Sequence, residues 1–140
     1  MRKIAVVYWS STGNTEEMAK AVALGARGAG ASCDLLTCDR MDAEKVKQYD
    51  ALLFGCPAMG AEELEQDAFE PMFSAVKPAL ADKKVALFGS YGWGGGEWMQ
   101  TWEADCAASG ISLAHESVIC NEAPDDDALA ACKALGAALA

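Results

Sequence analysis

The chain has 140 residues, 52% of them apolar and 23% charged, a composition that suits one folded domain and excludes intrinsic disorder. Its formal net charge of −10 argues against nucleic acid and anionic membranes as partners and favours proteins with a basic face. No apolar run approaches the roughly 20 residues needed to span a bilayer, and Met1-Arg2-Lys3 leads straight into a strand-like run without an export signal, so a cytoplasmic protein is expected.

Ile4-Ala5-Val6-Val7-Tyr8-Trp9 is a continuous apolar run, the pattern of a strand buried on both faces. Asn14-Thr15-Glu16-Glu17 has the form of a capping box, and Met18, Ala21, Val22, Gly25 and Ala26 then recur at helical spacing. A mixed run from Cys33 to Cys38 suits an edge strand, and a short helix follows over 43–48. Ala51-Leu52-Leu53-Phe54-Gly55 is a second fully apolar strand, with a helix expected from Phe69 to Leu80. Val85-Ala86-Leu87-Phe88-Gly89 is the third, followed by a helix over Glu97 to Ala108. Ile111 to Cys120 forms a second mixed edge strand, and an Ala-rich helix spans Asp126 to Leu139. This alternation calls for right-handed crossovers. The fold class is therefore α/β: a doubly wound five-stranded parallel sheet of order 2-1-3-4-5, helices on both faces, in one domain over residues 1–140.

Cys33, Cys38, Cys56, Cys106, Cys120 and Cys132 include no C-x-x-C pair. Zinc and thioredoxin-type chemistry lack their usual spacing, no metal site is expected, and reduced, mostly buried thiols are. His115, on the last edge strand, is the only histidine and is expected in a surface or packing role.

In such a sheet a ligand sits beyond the carboxyl ends of the strands, at the switch point between strands 1 and 3. Three loops lie there. Ser10-Ser11-Thr12-Gly13-Asn14-Thr15 opens the first helix with hydroxyls, an amide and one glycine but no Lys or Arg. That suits a single phosphate held by neutral donors and excludes a nucleotide-triphosphate loop; it equally suits an ordinary Ser/Thr-rich turn. Cys56-Pro57-Ala58-Met59-Gly60-Ala61-Glu62-Glu63 makes a slot of small residues around one methionine, which either meets a flat ring or packs Met59 under the loop. In Ser90-Tyr91-Gly92-Trp93-Gly94 the indole has little chain around it, so it stacks on a planar ligand or folds back into the core. Trp98 and Trp102, spaced i, i+4, are helix-packing residues.

Taken together, these loops resemble those of the short-chain flavodoxins, over essentially the whole chain. The residues that carry the resemblance are Tyr8 to Thr15, Ala58-Met59-Gly60 with Glu62, Val85 to Gly94, and Asn121 to Asp125. It implies non-covalently bound FMN as cofactor. Ser10, Ser11, Thr12, Gly13, Asn14 and Thr15 would hold the phosphate. Pro57, Ala58, Met59, Gly60, Ala61 and Glu62 would line one side of the ring, with Glu62 on its N3–H. Ser90, Tyr91, Gly92, Trp93 and Gly94 would line the other. The implied function is low-potential electron transfer, mainly between semiquinone and hydroquinone, with redox proteins bearing a basic docking face. The chain would be a monomeric carrier and not an enzyme. Alternatives on the same fold are an FMN-dependent NAD(P)H:quinone or flavin reductase and a flavin-binding activator of a radical enzyme. Ala61 departs from the family pattern of Gly, Asp or Asn. If the turn over Met59–Glu62 is type II in the reduced state, Ala61 would need φ > 0 there, at a cost of about 1 kcal/mol.

Overall fold

The computed structural model describes residues 2–60, 62–92 and 94–140. Five strands, β1 (Lys3–Tyr8), β2 (Ser32–Thr37), β3 (Ala51–Gly55), β4 (Lys84–Tyr91) and β5 (Val118–Asn121), alternate with helices α1 (Asn14–Gly28), α2 (Ala43–Val46), α3 (Phe69–Val76), α4 (Glu97–Ala108) and α5 (Asp126–Leu139). The sheet is parallel throughout, in the expected order β2-β1-β3-β4-β5.

The register explains why the central strands are apolar at every position. Val6 lies opposite Leu35 on one side and Leu53 on the other, and successive side chains leave on opposite faces. Ala5, Val7, Leu52, Phe54, Val85 and Leu87 enter one core, closed by Phe69 and Phe73 of α3 and by Trp98 and Trp102 of α4. Ile4, Val6, Leu53, Ala86 and Phe88 enter the other, closed by Met18 and Val22 of α1 and Cys132 and Leu135 of α5. In the first core Trp102 stands perpendicular to both Phe69 and Phe73 at centroid distances of 5.5 Å, and Phe73 stands edge-on to Phe54 at 5.1 Å. Trp98 and Trp102 are thus core residues, as their spacing suggests. In the second, α1 and α5 approach until a Cβ on Gly25 would lie 1.9 Å from the Lys133 carbonyl oxygen, and one on Gly136 2.0 Å from that of Val22. Only glycine permits that crossing.

Three elements differ from expectation. The last strand is confined to Val118–Asn121; upstream, only Leu113 bridges to Val85. His115, Glu116 and Ser117 interrupt the apolar alternation, so His115 lies exposed before β5 instead of on it. The third helix gives way to a 3-10 turn at Lys77–Ala79, where Pro78 cannot donate the backbone bond that would continue it. Asn14 does not cap α1: Gly13 is the N-cap residue, and no side chain caps from that position. Among the described residues no helix is long and apolar enough to cross a membrane.

Candidate functional site

All five strands point their carboxyl ends the same way, which gathers the loops after β1, β3, β4 and β5. The first is organised by Ser10. Its Oγ accepts hydrogen bonds from the backbone N–H of Gly13 (3.2 Å) and of Glu16 (3.3 Å). With both acceptor positions used, the hydroxyl hydrogen remains free to donate. Ser10 therefore does the work expected of Asn14, four residues earlier in the chain. Gly13 turns the backbone into α1 at φ +98°, and Ser11 and Thr12 are exposed at the start of this 15-residue helix. Its positive end faces this loop; with the N–H groups of Gly13 and Glu16 taken by Ser10, those of Asn14 and Thr15 are left without an intrahelical partner. Thr15 is 1% exposed and shares a 3.1 Å hydrogen bond with Ser90 Oγ. One hydrogen of that hydroxyl pair is left over for an outside acceptor.

The second loop closes on itself: Met59 N–H donates to the Glu63 carbonyl (2.8 Å) and Glu63 N–H to that of Met59 (3.1 Å). Gly60 has φ +47° and Glu62 φ +60°. A type II turn over Met59–Glu62 would need about −60° at its second residue, so that turn is not the one formed here; Ala61 itself lies outside the described residues. A left-handed glutamate is uncommon and marks stored strain of order 1 kcal/mol. What holds it is the start of α4: Glu62 Oε2 accepts from Trp98 N–H at 3.0 Å. Oε1 rests against Gly94, 2.2 Å from where a Cβ would stand. Glu65, by contrast, is buried and turned inward. It accepts from the backbone N–H of Asp67, Ala68 and Phe69 at 2.9, 2.8 and 2.7 Å, capping α3. Burial pushes its carboxyl up, but these three donors together hold it below the ordinary carboxylate value.

The third loop is braced from both sides. Ser90 accepts from Ala58 N–H through its carbonyl (3.0 Å), and Asn121 Nδ2 donates to the Gly92 carbonyl (2.8 Å). Tyr91 packs against Trp98 at a centroid distance of 5.6 Å, and Trp98 Nε1 donates to the Cys56 carbonyl at 3.1 Å. Glu97 turns back to accept from Gly95 N–H at 2.8 Å, and its own N–H and that of Gly95 hold its carboxyl below the ordinary range. Trp93 lies outside the described residues.

Between these loops runs a cleft of about 460 Å³, within the usual range for cofactor sites. Ser11, Thr12 and Asn14 form one end; Pro57, Ala58 and Met59 face Ser90, Tyr91 and Gly92 across the other. Neutral donors on a helix N-terminus suit a phosphate, and the small residues of the far end admit a flat ring. A second cleft of about 390 Å³ lies between the β1 and β2 ends, but Glu16 and Asp39 wall it and oppose an anion there.

Ser11, Thr12, Asn14, Pro57, Ala58, Met59, Ser90, Tyr91 and Gly92 thus line one cleft. Ser10, Thr15 and Glu62 support it from behind. Glu122 and Ala123 also line it and were not singled out as site residues. Glu122 has φ +57°, a signal invisible without backbone angles, although Asn121-Glu122-Ala123-Pro124 is recognisable as a turn.

The family model described as flavodoxin matches residues 6–136. The flavodoxin of Megasphaera elsdenii is 43% identical over 98% of both chains, and that of Clostridium beijerinckii 39% identical over 86% of this chain and 88% of its own. The solution structure of two-electron reduced Megasphaera elsdenii flavodoxin superposes with a TM-score of 0.89, covering 97% of each chain.

Proposed function

This chain belongs to the flavodoxin family, and on that premise we propose that the cleft over the β1 and β3 ends is its FMN site. The protein is an electron carrier and not an enzyme; bound FMN supplies the redox chemistry. The observation that supports this site is the cationless α1 cradle leading into a slot of small residues.

In this reading the residues divide the work. Ser10, already accepting two backbone N–H bonds, donates its hydroxyl hydrogen to the phosphate. Ser11, Thr12, Asn14 and the N–H groups around Gly13 complete the shell, and the Thr15–Ser90 pair supplies one further hydrogen. Such charge-assisted bonds are about twice as strong as neutral ones. Met59, Pro57 and Ala58 bound the ring on one side, Tyr91 and Gly92 on the other; Gly60, Ala61, Trp93 and Gly94 belong to the same ring-binding loops. Glu62, with Oε2 on Trp98 N–H and Oε1 against Gly94, braces the two ring-binding loops.

The acidic surface supports the remainder of the proposal: a monomer passing single electrons, chiefly in its more reduced range, to redox proteins with a basic docking face. Titration of the apoprotein with FMN and with riboflavin tests the site. The expected result is one FMN per chain, with riboflavin bound at least about tenfold more weakly because it lacks the phosphate. Equal affinities would refute the phosphate cradle.

A further inference from the structure

Beside the cofactor cleft lies a smaller groove of about 160 Å³, between the 62–70 segment and α4. It is well below the volume that cofactors and drug-sized ligands occupy, and fits a single long side chain. Half-buried Leu64 forms its apolar floor, with the buried Trp98 and Trp102 beneath, and Thr101 lies exposed on one wall. Glu62, Glu63, Glu70 and Asp105 surround it.

The four carboxylates are not equivalent. Asp105 is paired with Lys77 at 2.9 Å, and Glu62 is tied to Trp98 N–H. Glu70 takes the Ser74 hydroxyl but no cation, and Glu63 is exposed. Among the described residues neither Glu63 nor Glu70 forms an ion pair. The groove is thus an apolar floor with an uncompensated negative rim. That combination complements an arginine or lysine, whose methylenes cover apolar surface while the charged head stays at the wet edge. Glu62 belongs to this groove and, through Trp98, to the junction of the two ring-binding loops, so an occupant would stand at the edge of the cofactor site.

We propose that this groove is the anchor point for one arginine or lysine side chain of the basic redox partner, with its stem on Leu64 and its head between Glu63 and Glu70. The proposal rests on the reading of the protein as a carrier for basic partners, and adds where on the acidic surface contact is made. Exposed ion pairs contribute little stability, so the effect falls mainly on association rate and its salt dependence.

The test uses the FMN-loaded, reduced protein and cytochrome c as a basic probe, in stopped flow at low salt. The expected result is that the E63Q/E70Q variant transfers electrons about fivefold or more slowly, with the difference closing at high salt. D82N/E116Q, which removes the same charge from exposed positions at the amino end of the sheet, should stay within about a factor of two of wild type. Thr101→Arg, which places a cation at the groove itself, should slow transfer like E63Q/E70Q. Equal losses in the two double variants would show that only net charge matters and overturn the groove, leaving the carrier reading intact. Oxidation by a neutral quinone tests that reading separately: all variants should react alike, and failure of the wild type to deliver electrons to the quinone would overturn the carrier reading itself. In ¹H–¹⁵N spectra, N-acetyl-arginine methylamide should shift the Trp98 amide and Trp102 indole signals, while its neutral citrulline analogue should not. Equal shifts from both would also count against the proposal.

Discussion

Glu65 is the residue whose removal should reveal most about how the ring-side loop is held. It is 6% exposed and receives three backbone N–H groups at 2.7–2.9 Å. Asp67 and Ala68 are exposed, so water can replace the carboxylate at their N–H groups, whereas that of Phe69 is buried. In Glu65→Ala the loss is one helix cap, about 1–2 kcal/mol, plus one orphaned buried donor, about 1–3 kcal/mol. A total of about 3 kcal/mol is expected, a large part of the roughly 5–15 kcal/mol that holds a domain together. Glu65→Gln keeps an oxygen for Ala68 and Phe69 but turns an NH₂ group toward Asp67 and loses the charge, so about 1–2 kcal/mol is expected. Urea unfolding at a fixed excess of FMN measures both variants, since bound ligand adds the same mass-action term when affinity is unchanged. The carboxyl is held below its ordinary value of 4.5 in the folded chain. Its contribution is therefore complete above that value and disappears as pH falls through the lowered one, and Glu65→Gln should remove that part of the acid loss. A Glu65→Ala variant within about 0.5 kcal/mol of wild type would refute the reasoning.

Ser10→Ala removes a hydroxyl donor to the phosphate at about 1.5–3 kcal/mol, so the FMN dissociation constant should rise roughly 10- to 100-fold while riboflavin binding barely changes; parallel isothermal titrations check this. Gly136→Ala gains about 1 kcal/mol of helix propensity but drives a Cβ to 2.0 Å from the Val22 carbonyl oxygen, so a net loss of about 1–2 kcal/mol in urea unfolding is expected from overpacking. Burial pushes the thiols of Cys56 and Cys132 up to about 12 and that of Cys106 up to about 11. A thiol reagent at pH 8 should therefore label only the half-buried Cys120 rapidly in the native protein, and all six cysteines after unfolding.

The sheet order and the limits of α4 and α5 were legible because central strands carry continuous apolar runs and long helices carry a clear period. The short β5 was not: Ile111 to Cys120 has strand-like residues at both ends, and only pairing shows that Leu113 makes an isolated bridge while the polar residues after it leave the sheet. The cradle's position was legible from its hydroxyls, but not the part Ser10 plays, since local spacing favours Asn14 as the cap. In the sequence Glu65 is one more acidic residue beside Glu62 and Glu63, and only burial separates it from Glu63. Glu62 and Glu122, both left-handed without being glycine, have no signature in the sequence because tertiary contacts impose those angles.

Anaerobic reductive titration of the FMN-loaded protein, followed by absorbance, tests the central claim most directly. A one-electron carrier should take up its electrons in two separable steps, with a new long-wavelength band that rises to half-reduction and then falls. Bleaching in a single two-electron step, with no such band at any point, would contradict the account.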